Sequence, residues 1–205
     1  DTAREPAWRD VLSLIIEGVM TAAPAPAQAA LRRLQGATHR ELDALADSVL
    51  SFDFPDASPA EIPFIGAALQ VHWTHRASAC GPAIAPSTGF PSLCPVCGAL
   101  PVASVIRIDG PVPGARYLAC TLCSSAWLLP RGQCSQCGES SKIAYYHLDA
   151  EGGQTAARKA PLRAEACDLC RGYVKLVDRE QDPLADPVAD DLASLTLDLL
   201  MDESG

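Results

Sequence analysis

Four Cys-x-x-Cys pairs lie between residues 94 and 170 of this 205-residue chain and contain eight of its nine cysteines. Two residues between two cysteines let a tight turn aim both sulfurs at one metal ion, so each pair supplies half of a tetrahedral site. A secreted disulfide framework is rarely so regular, and the pattern therefore predicts metal binding in a reducing compartment. The predicted ligands are Cys94 and Cys97, Cys120 and Cys123, Cys134 and Cys137, and Cys167 and Cys170.

These pairs can be combined into two sites in three ways. Sequential pairing joins the first pair to the second and the third to the fourth, across loops of 22 and 29 residues. Each loop has the pattern of a hairpin, and an apolar run follows the pair that ends it. This repetition indicates two successive copies of one zinc-ribbon or rubredoxin-like unit. Interleaved pairing would make a cross-braced module, and nested pairing would place the second and third pairs on one ion. Sequential pairing is favoured, and the other two stay open.

The type of site limits the chemistry. Four thiolates in a tetrahedral arrangement suit zinc or a single rubredoxin-type iron, and the sequence does not decide between iron and zinc. Such a site has no open position for a substrate, because protein sulfurs occupy all four. The chain also lacks a recognisable nucleophile signature, phosphate-binding loop or zincin motif. We therefore predict two metal ions, iron or zinc, each bound by four cysteines, and no enzymatic activity.

Other potential ligands have simpler interpretations. Cys80 lies outside every pair and is predicted to be a small buried residue or an incidental thiol. His72 and His75 are three residues apart on a predicted helix, but a third ligand is lacking nearby. His147 is placed in a strand, where packing is its expected role.

Composition narrows the function classes further. The formal net charge is −9, which disfavours nucleic-acid binding because that depends on Lys and Arg neutralising phosphates. No apolar stretch approaches the ~18 residues of a membrane span, and the first residues lack the pattern of a secretory signal. We expect no membrane insertion and no nucleic-acid partner, and the oligomeric state stays open. The chain does not begin with Met, so it is expected to start within a longer protein.

The elements that position these cysteines follow a helical first part. A second helix is predicted from Pro26 to Gln35 and stops at Gly36, and Thr38 and Glu41 form the capping box of a third. The first helix carries an apolar stripe at steps of three and four residues, formed by Trp8, Val11, Leu12, Ile15 and Val19. The predicted packing residues of the third and fourth helices are Leu42, Leu45, Val49, Phe64, Leu69 and Trp73.

Short strands and a last helix complete the prediction. Runs of alternating apolar and polar residues next to the Cys-x-x-Cys pairs, which we also call hooks, predict strands. Asp190 and Asp191 favour the first turn of an acidic helix. The leucines at positions 192, 195, 199 and 200 are predicted to form its buried side. The fold class is thus α+β, with an N-terminal helical bundle, two tandem zinc-ribbon or rubredoxin-like modules of four cysteines each, and a C-terminal helix. The predicted domains are 1–80 (helical), 81–92 (linker), 93–130 (first ribbon), 131–178 (second ribbon) and 179–205 (acidic helix).

Together these motifs resemble the formate dehydrogenase accessory proteins of the FdhE type. The resemblance rests on "CPVCGALPVASVI", "RYLACTLCSSAW", "CSQCGES", "CDLCRGYVKL" and "DPVADDLASLTLD", and "PFIGAAL" in the helical part agrees with it. It runs from about Trp8 to Met201 and is more specific than any one cysteine pair, because order, the position of Trp127 and the acidic last helix all agree. Family members usually have a longer N-terminal region and an aromatic, proline-containing tail, so this chain is expected to be a fragment or a short member.

The resemblance implies a cytoplasmic maturation factor that contacts the molybdenum- or tungsten-containing catalytic subunit of formate dehydrogenase. It also implies rubredoxin-like, iron-binding sites formed by the eight paired cysteines. A metal-binding chaperone of this kind is the leading hypothesis. A rubredoxin-like electron-transfer protein is the alternative, and a nucleic-acid-binding zinc ribbon is disfavoured by the acidic charge.

Overall fold

The computed structural model describes residues 6–51, 53, 58–80, 92–109, 112–148 and 157–204. The chain divides into two compact units, Asp1–Gly81 and Pro82–Gly205. Helices form the first unit, and a sheet with two short C-terminal helices forms the second, which confirms the predicted α+β class. Nearly all of the predicted linker, 81–92, lies outside the described residues. The finer five-part division stays a prediction.

Four helices make up the first unit: α1 (Ala7–Val19), α2 (Ala25–Gly36), α3 (His39–Ser51) and α4 (Ile62–Cys80). Helix α1 packs against α2 and α4, and α3 packs against α4. The buried face of α1 is formed by Trp8, Leu12 and Ile16, which recur every four residues. The predicted stripe is wrong at its end, because Val19 is exposed and Ile16 takes the buried position instead.

Helices α2 and α3 begin where the sequence places their start signals. A proline lies in the first two positions of α2, where its missing N–H is not needed. The backbone N–H of Thr38 donates to the Glu41 carboxylate at 2.7 Å, and the N–H of Glu41 donates to the Thr38 hydroxyl at 3.3 Å. The predicted capping box is therefore present, and the hydrogen bonds from Thr38 lower the pKa of Glu41.

The inner faces of α3 and α4 are mainly apolar. Leu42 and Ala46 are the buried residues of α3, whereas the predicted Leu45 and Val49 are half-buried. In α4 the predicted Leu69 is fully buried, and Phe64 and Trp73 are half-buried. None of the helices in the described part of the chain is both long enough and apolar enough to cross a membrane.

The second unit is built on one six-stranded sheet. The strands are β1 (Pro101–Ile106), β2 (Arg116–Cys120), β3 (Ala126–Leu128), β4 (Ile143–Tyr146), β5 (Leu162–Cys167) and β6 (Tyr173–Asp178). The predicted strands are all present, but His147 follows β4 rather than lying within it. Each hairpin contributes an antiparallel meander of three strands, β1–β2–β3 and β4–β5–β6.

The two meanders join through one edge strand of each, β1 and β6, which become the two central strands of the sheet. The sheet order is β3-β2-β1-β6-β5-β4, and β1 pairs with β6 in parallel through Ser104↔Leu176 and Ile106↔Asp178. Because β1 and β6 run in the same direction, the start of β1 and the start of β6 lie at the same end of the sheet. Both groups of paired cysteines flank these strand starts, so they lie side by side at that end.

The C-terminal segment forms two helices, α5 (Ala189–Ala193) and α6 (Leu195–Ser204), separated at Ser194. Leu197 and Met201 pack on Ala164 of β5. The prediction for this segment is wrong in two respects, since a single helix was expected and a different side is buried. The four predicted core leucines, at positions 192, 195, 199 and 200, are 44–65% exposed.

Candidate metal centres

The structure brings the eight paired cysteines into two clusters. The first cluster contains Cys94, Cys97, Cys120 and Cys123, and the second contains Cys134, Cys137, Cys167 and Cys170. Within each cluster all four sulfurs lie within 4.8 Å of one another. Each cluster joins the two hooks of one hairpin, which is the arrangement of the sequential pairing. The ten-residue segment between Cys123 and Cys134 therefore connects two clusters instead of closing one.

The sulfur separations test whether a metal ion fits. In the first cluster, Cys94–Cys123 and Cys97–Cys120 have Sγ–Sγ distances of 3.5 and 3.4 Å. In the second cluster, Cys134–Cys170 and Cys137–Cys167 have distances of 3.6 and 3.7 Å. A regular tetrahedron with metal–sulfur bonds of about 2.3 Å has edges of about 3.8 Å. Both clusters are close to this size, so each could hold one zinc or iron ion with four sulfur ligands.

All four hooks share one backbone turn. The N–H of the first cysteine donates to the carbonyl five residues later, at 2.9, 2.9, 2.7 and 2.9 Å along the chain. The residue after each second cysteine has a positive φ, and these residues are Gly98 (75°), Ser124 (57°), Gly138 (78°) and Arg171 (62°). The left-handed conformation suits glycine because it has no Cβ. This requirement explains why glycine follows Cys97 and Cys137.

The turns also direct backbone N–H groups at sulfur. Leu122 and Cys123 each donate an N–H to Cys120 Sγ at 3.3 Å. In the second cluster, Gln136 donates to Cys134 Sγ at 3.3 Å. Hydrogen bonds of this kind favour the thiolate over the thiol, and a thiolate is the form that binds a metal ion.

Four thiols this close cannot all ionise without a cation. A hydrogen bond from Cys120, followed by one from Cys97, lowers the pKa of Cys94 to about 2. The corresponding bond with Cys94 raises the pKa of Cys120 to about 12, and the bond with Cys120 raises the pKa of Cys97. The first cluster thus mixes thiolate and thiol. A divalent ion would supply the charge that lets the remaining protons leave.

The two clusters differ in their exposure to solvent. In the first cluster Cys94, Cys120 and Cys123 are buried and Cys97 is partly buried. In the second cluster two cysteines, Cys137 and Cys170, are exposed. Solvent access controls how readily water or a chelator reaches a metal-bound sulfur. The second cluster is therefore the more accessible of the two.

This difference predicts unequal metal release. On addition of a chromogenic chelator, we expect the second cluster to release its metal faster than the first, by about tenfold or more. The measurement is the biphasic rise in chelator absorbance. Cys137→Ser should abolish the fast phase and Cys97→Ser the slow phase. A single phase in the unmodified protein, or the opposite assignment by these variants, would contradict the prediction.

The turn geometry predicts different effects on stability at two equivalent positions, Gly98 and Ser124. Gly98→Ala should lower the free energy of unfolding of the metal-loaded protein by about 1–2 kcal/mol, because a Cβ is disfavoured at positive φ. There is open space around Gly98, so a steric clash adds nothing. Ser124→Gly should stabilise the protein or leave it unchanged. Thermal unfolding of both variants at matched metal content tests this, and equal destabilisation by both would contradict it.

The other candidate ligands from the sequence are not members of either cluster. Cys80 is exposed, so it is not the small buried residue that was one of its two interpretations, and its thiol donates to the Arg76 carbonyl at 3.4 Å. His72 is buried in α4, whereas His75 is exposed. None of the described histidines is part of either cysteine cluster.

A buried charge network was not predicted. Arg116, the first residue of β2, forms an ion pair with Glu165 of β5 at 2.6 Å, and both side chains are at most 5% exposed. The Arg116 guanidinium also donates to Ser104 Oγ at 2.7 Å and to the Gln133 carbonyl at 2.7 Å. Ser104 belongs to the first hairpin, Glu165 to the second, and Gln133 to the connecting segment. The only sequence signal was a charged residue within each of two strands.

Known proteins match nearly the whole chain. Three family models fit it: "FdhE, N-terminal" over residues 1–86, "FdhE, central domain" over 93–131 and "FdhE, C-terminal domain" over 133–205. A Pseudomonas aeruginosa "Protein FdhE homolog" is 42% identical over 98% of this chain, and "Protein FdhE" of Escherichia coli is 38% identical over 98%.

A comparison with solved structures leads to the same family as the sequence comparisons. The crystal structure of the FdhE protein from Pseudomonas aeruginosa superposes with a TM-score of 0.85 at 41% identity, covering 98% of this chain and 68% of that one. The chain spans 65% and 63% of the length of the two curated relatives. Because the similarity extends across both units and all four cysteine hooks, the chain belongs to the FdhE family, as the sequence resemblance predicted.

Proposed function

We propose that this chain acts in the cytoplasm as a metal-binding accessory factor for the maturation of formate dehydrogenase. Its client would be the molybdenum- or tungsten-containing catalytic subunit. The observation that carries the proposal is FdhE family membership over nearly the whole chain, joined to two clusters of four cysteines.

The clusters favour a scaffold over an enzyme. The eight paired cysteines would hold two ions, iron or zinc, and the four sulfurs of each cluster would leave no position for a substrate. Each ion would fix the two hooks of its own hairpin. The formal charge of −9 favours a protein client over a nucleic acid.

Co-purification with the catalytic subunit tests the proposal. We expect the immobilised chain to retain the catalytic subunit of a formate dehydrogenase, and we expect Cys134→Ser/Cys167→Ser to lose most of that retention. Cys80→Ser is the matched control, because it removes an exposed thiol that belongs to neither cluster. Equal retention by the cluster variant would count against binding through the metal-folded sheet. Retention by none of the proteins would reject the client.

Electron transfer is a second candidate, supported by the exposure of Cys137 and Cys170. A redox centre must lie near the surface to exchange electrons with a partner, and a tetrathiolate iron would supply a one-electron couple. Protein isolated from iron-replete cells would then be red when oxidised and would lose its colour on reduction. Colourless protein with about two zinc ions per chain would reject this candidate.

A further inference from the structure

Helix α6 has apolar residues on opposite sides. Leu197 and Met201 are at most 7% exposed and face the sheet. Leu195 and Leu199 are 59% and 65% exposed, and Leu192 at the end of α5 is 63% exposed. A helix with a single apolar side needs one partner, whereas a helix with two apolar sides is typically covered on both.

Leu192, Leu195 and Leu199 form what we call the leucine ridge. Leu195 and Leu199 are four residues apart and are therefore neighbours on one face of α6, whereas Leu192 lies in α5, before the break at Ser194. Val188, the N-cap of α5, lies four residues before Leu192 and is 53% exposed. Isolated exposed leucines are common on protein surfaces, but several large apolar residues exposed in one short segment are typical of a binding surface.

The charged residues of the C-terminal segment have one sign. Residues 183–205 contain no Lys, Arg or His. Two of the acidic residues, Asp191 and Asp198, bind the buried Lys175 of β6 at 3.0 and 2.6 Å and so face the sheet. Asp186 and Asp202 are exposed, one at each end of the ridge. The acidic residues of the segment are Asp186, Asp190, Asp191, Asp198, Asp202 and Glu203.

We propose that the leucine ridge binds a cationic amphipathic segment of a protein partner. The partner's apolar residues would cover the three leucines, and its Lys or Arg side chains would reach the acidic ends. A second copy of this chain fits poorly, because the same face would bring like charges together. The inference rests on the proposed function in one respect, since it takes the partner to be the client of the accessory protein.

Binding to the catalytic subunit is the first test. Leu195→Ser/Leu199→Ser should weaken binding to that subunit by about tenfold or more, since a few apolar contacts carry most of an interface's affinity. Leu14→Ser is the matched control, because Leu14 is 66% exposed on α1. Binding should also weaken as salt is raised. Equal binding by the ridge variant would overturn the leucine ridge as the docking surface and leave the proposed function standing.

A model peptide tests the leucine ridge as a docking surface independently of the identity of the client. We expect a synthetic helical peptide of about 18 residues, with leucine on one side and lysine on the other, to bind the chain. A peptide with glutamate in place of lysine should bind at least about tenfold more weakly. One outcome is that the lysine peptide binds, that Leu195→Ser/Leu199→Ser weakens this binding, and that the catalytic subunit does not bind. That outcome would support the leucine ridge as a docking surface and reject the proposed client. If neither the lysine peptide nor the catalytic subunit binds, both the leucine ridge and the proposed client are overturned.

Two further measurements address other occupants of the ridge. Light scattering should give the same mass for the unmodified chain and for the ridge variant, since a dimer dissociated by the variant would identify a second copy as the occupant. Melting temperature should also be unchanged relative to Leu14→Ser. A clear fall in the ridge variant alone would show that the leucines are covered within the chain. Either result would overturn the proposal.

Discussion

Removal of both metal ions is expected to unfold the sheet unit while α1 to α4 remain helical. Each cluster fixes the ends of a hairpin, and the unfolded chain has no preformed site, so metal-binding free energy becomes folding free energy. For structural zinc in small domains this amounts to about 10–16 kcal/mol, which exceeds the net stability of most domains. A strong chelator should therefore abolish hydrogen-exchange protection in β1 and β6. The helical circular dichroism signal should largely persist.

Variants that lack one cysteine of a single cluster test which hairpin each cluster stabilises. In Cys94→Ser the backbone amides of β1 and β2 should lose hydrogen-exchange protection first. In Cys134→Ser those of β4 and β5 should lose it first. Cys80→Ser should respond to chelation as the unmodified protein does, because Cys80 lies in neither cluster. Loss of helical signal together with the sheet would contradict the prediction and show one cooperative unit. Full protection of the sheet after complete metal removal would show that its apolar core is sufficient.

The local features of this fold follow from sequence because local physics specifies them. The Cys-x-x-Cys spacing determines the turn, and the turn determines which sulfurs can converge. Thr38 and Glu41 define the start of α3 through three-residue spacing alone. Glycine at positions 98 and 138 marks the left-handed residue after a hook, although Ser124 and Arg171 take the same conformation without that signal.

The merging of the two ribbons into one sheet could not be predicted in the same way. It depends on parallel pairing between Ser104 and Leu176, which are 72 positions apart, and sequence spacing gives no information on such a register. The repeat predicted two equivalent modules. In the structure the first strand of one meander pairs with the last strand of the other, so the contact joins non-equivalent strands.

The buried side of the last helix was predicted wrongly for a specific reason. Leucines on the outer side and Leu197 with Met201 on the inner side both satisfy helical spacing, so periodicity alone cannot select the face. Lys175 selects it, because its side chain is 1% exposed and its ammonium group needs Asp191 and Asp198 as partners. Helices α5 and α6 must therefore turn Asp191 and Asp198 toward the sheet, and this orientation of α6 directs Leu195 and Leu199 outward.

Replacing Arg116 is the second change with a large expected effect. Arg116→Met should lower the free energy of unfolding of the metal-loaded sheet unit by about 3–5 kcal/mol, because the buried Glu165 carboxylate would lose its ion-pair partner. The matched control is Arg131→Met. Arg131 pairs with Glu180 at 2.8 Å, but the side chains are 47% and 40% exposed, so we expect a loss below about 1 kcal/mol. Denaturant unfolding at matched metal content measures both.

The effect of Arg116→Met should depend on pH in a definite direction. Burial raises the pKa of Glu165 in the folded protein, although the positive charge of Arg116 opposes this shift. Without Arg116 the largest opposing effect is gone and only the smaller ones from Arg163, Tyr145 and Arg131 remain, so the folded state holds the Glu165 proton to higher pH than the unfolded state does. Stability then falls as pH rises above the unfolded pKa of about 4.3. The variant should therefore be closest to the unmodified protein in acid, and an equal deficit at every pH would contradict this cause.

A double variant separates charge pairing from the other contacts of Arg116. Adding Glu165→Leu to Arg116→Met removes the buried carboxylate that has lost its ion-pair partner, so the double variant should be more stable than Arg116→Met alone, with a coupling of about 1–3 kcal/mol. Recovery should stop short of the unmodified protein, because the Pro130 and Gln133 carbonyls still lose their donor. Those carbonyls lie in the segment between the clusters. A double variant no more stable than Arg116→Met would show that Arg116 stabilises the sheet through this segment, independently of Glu165.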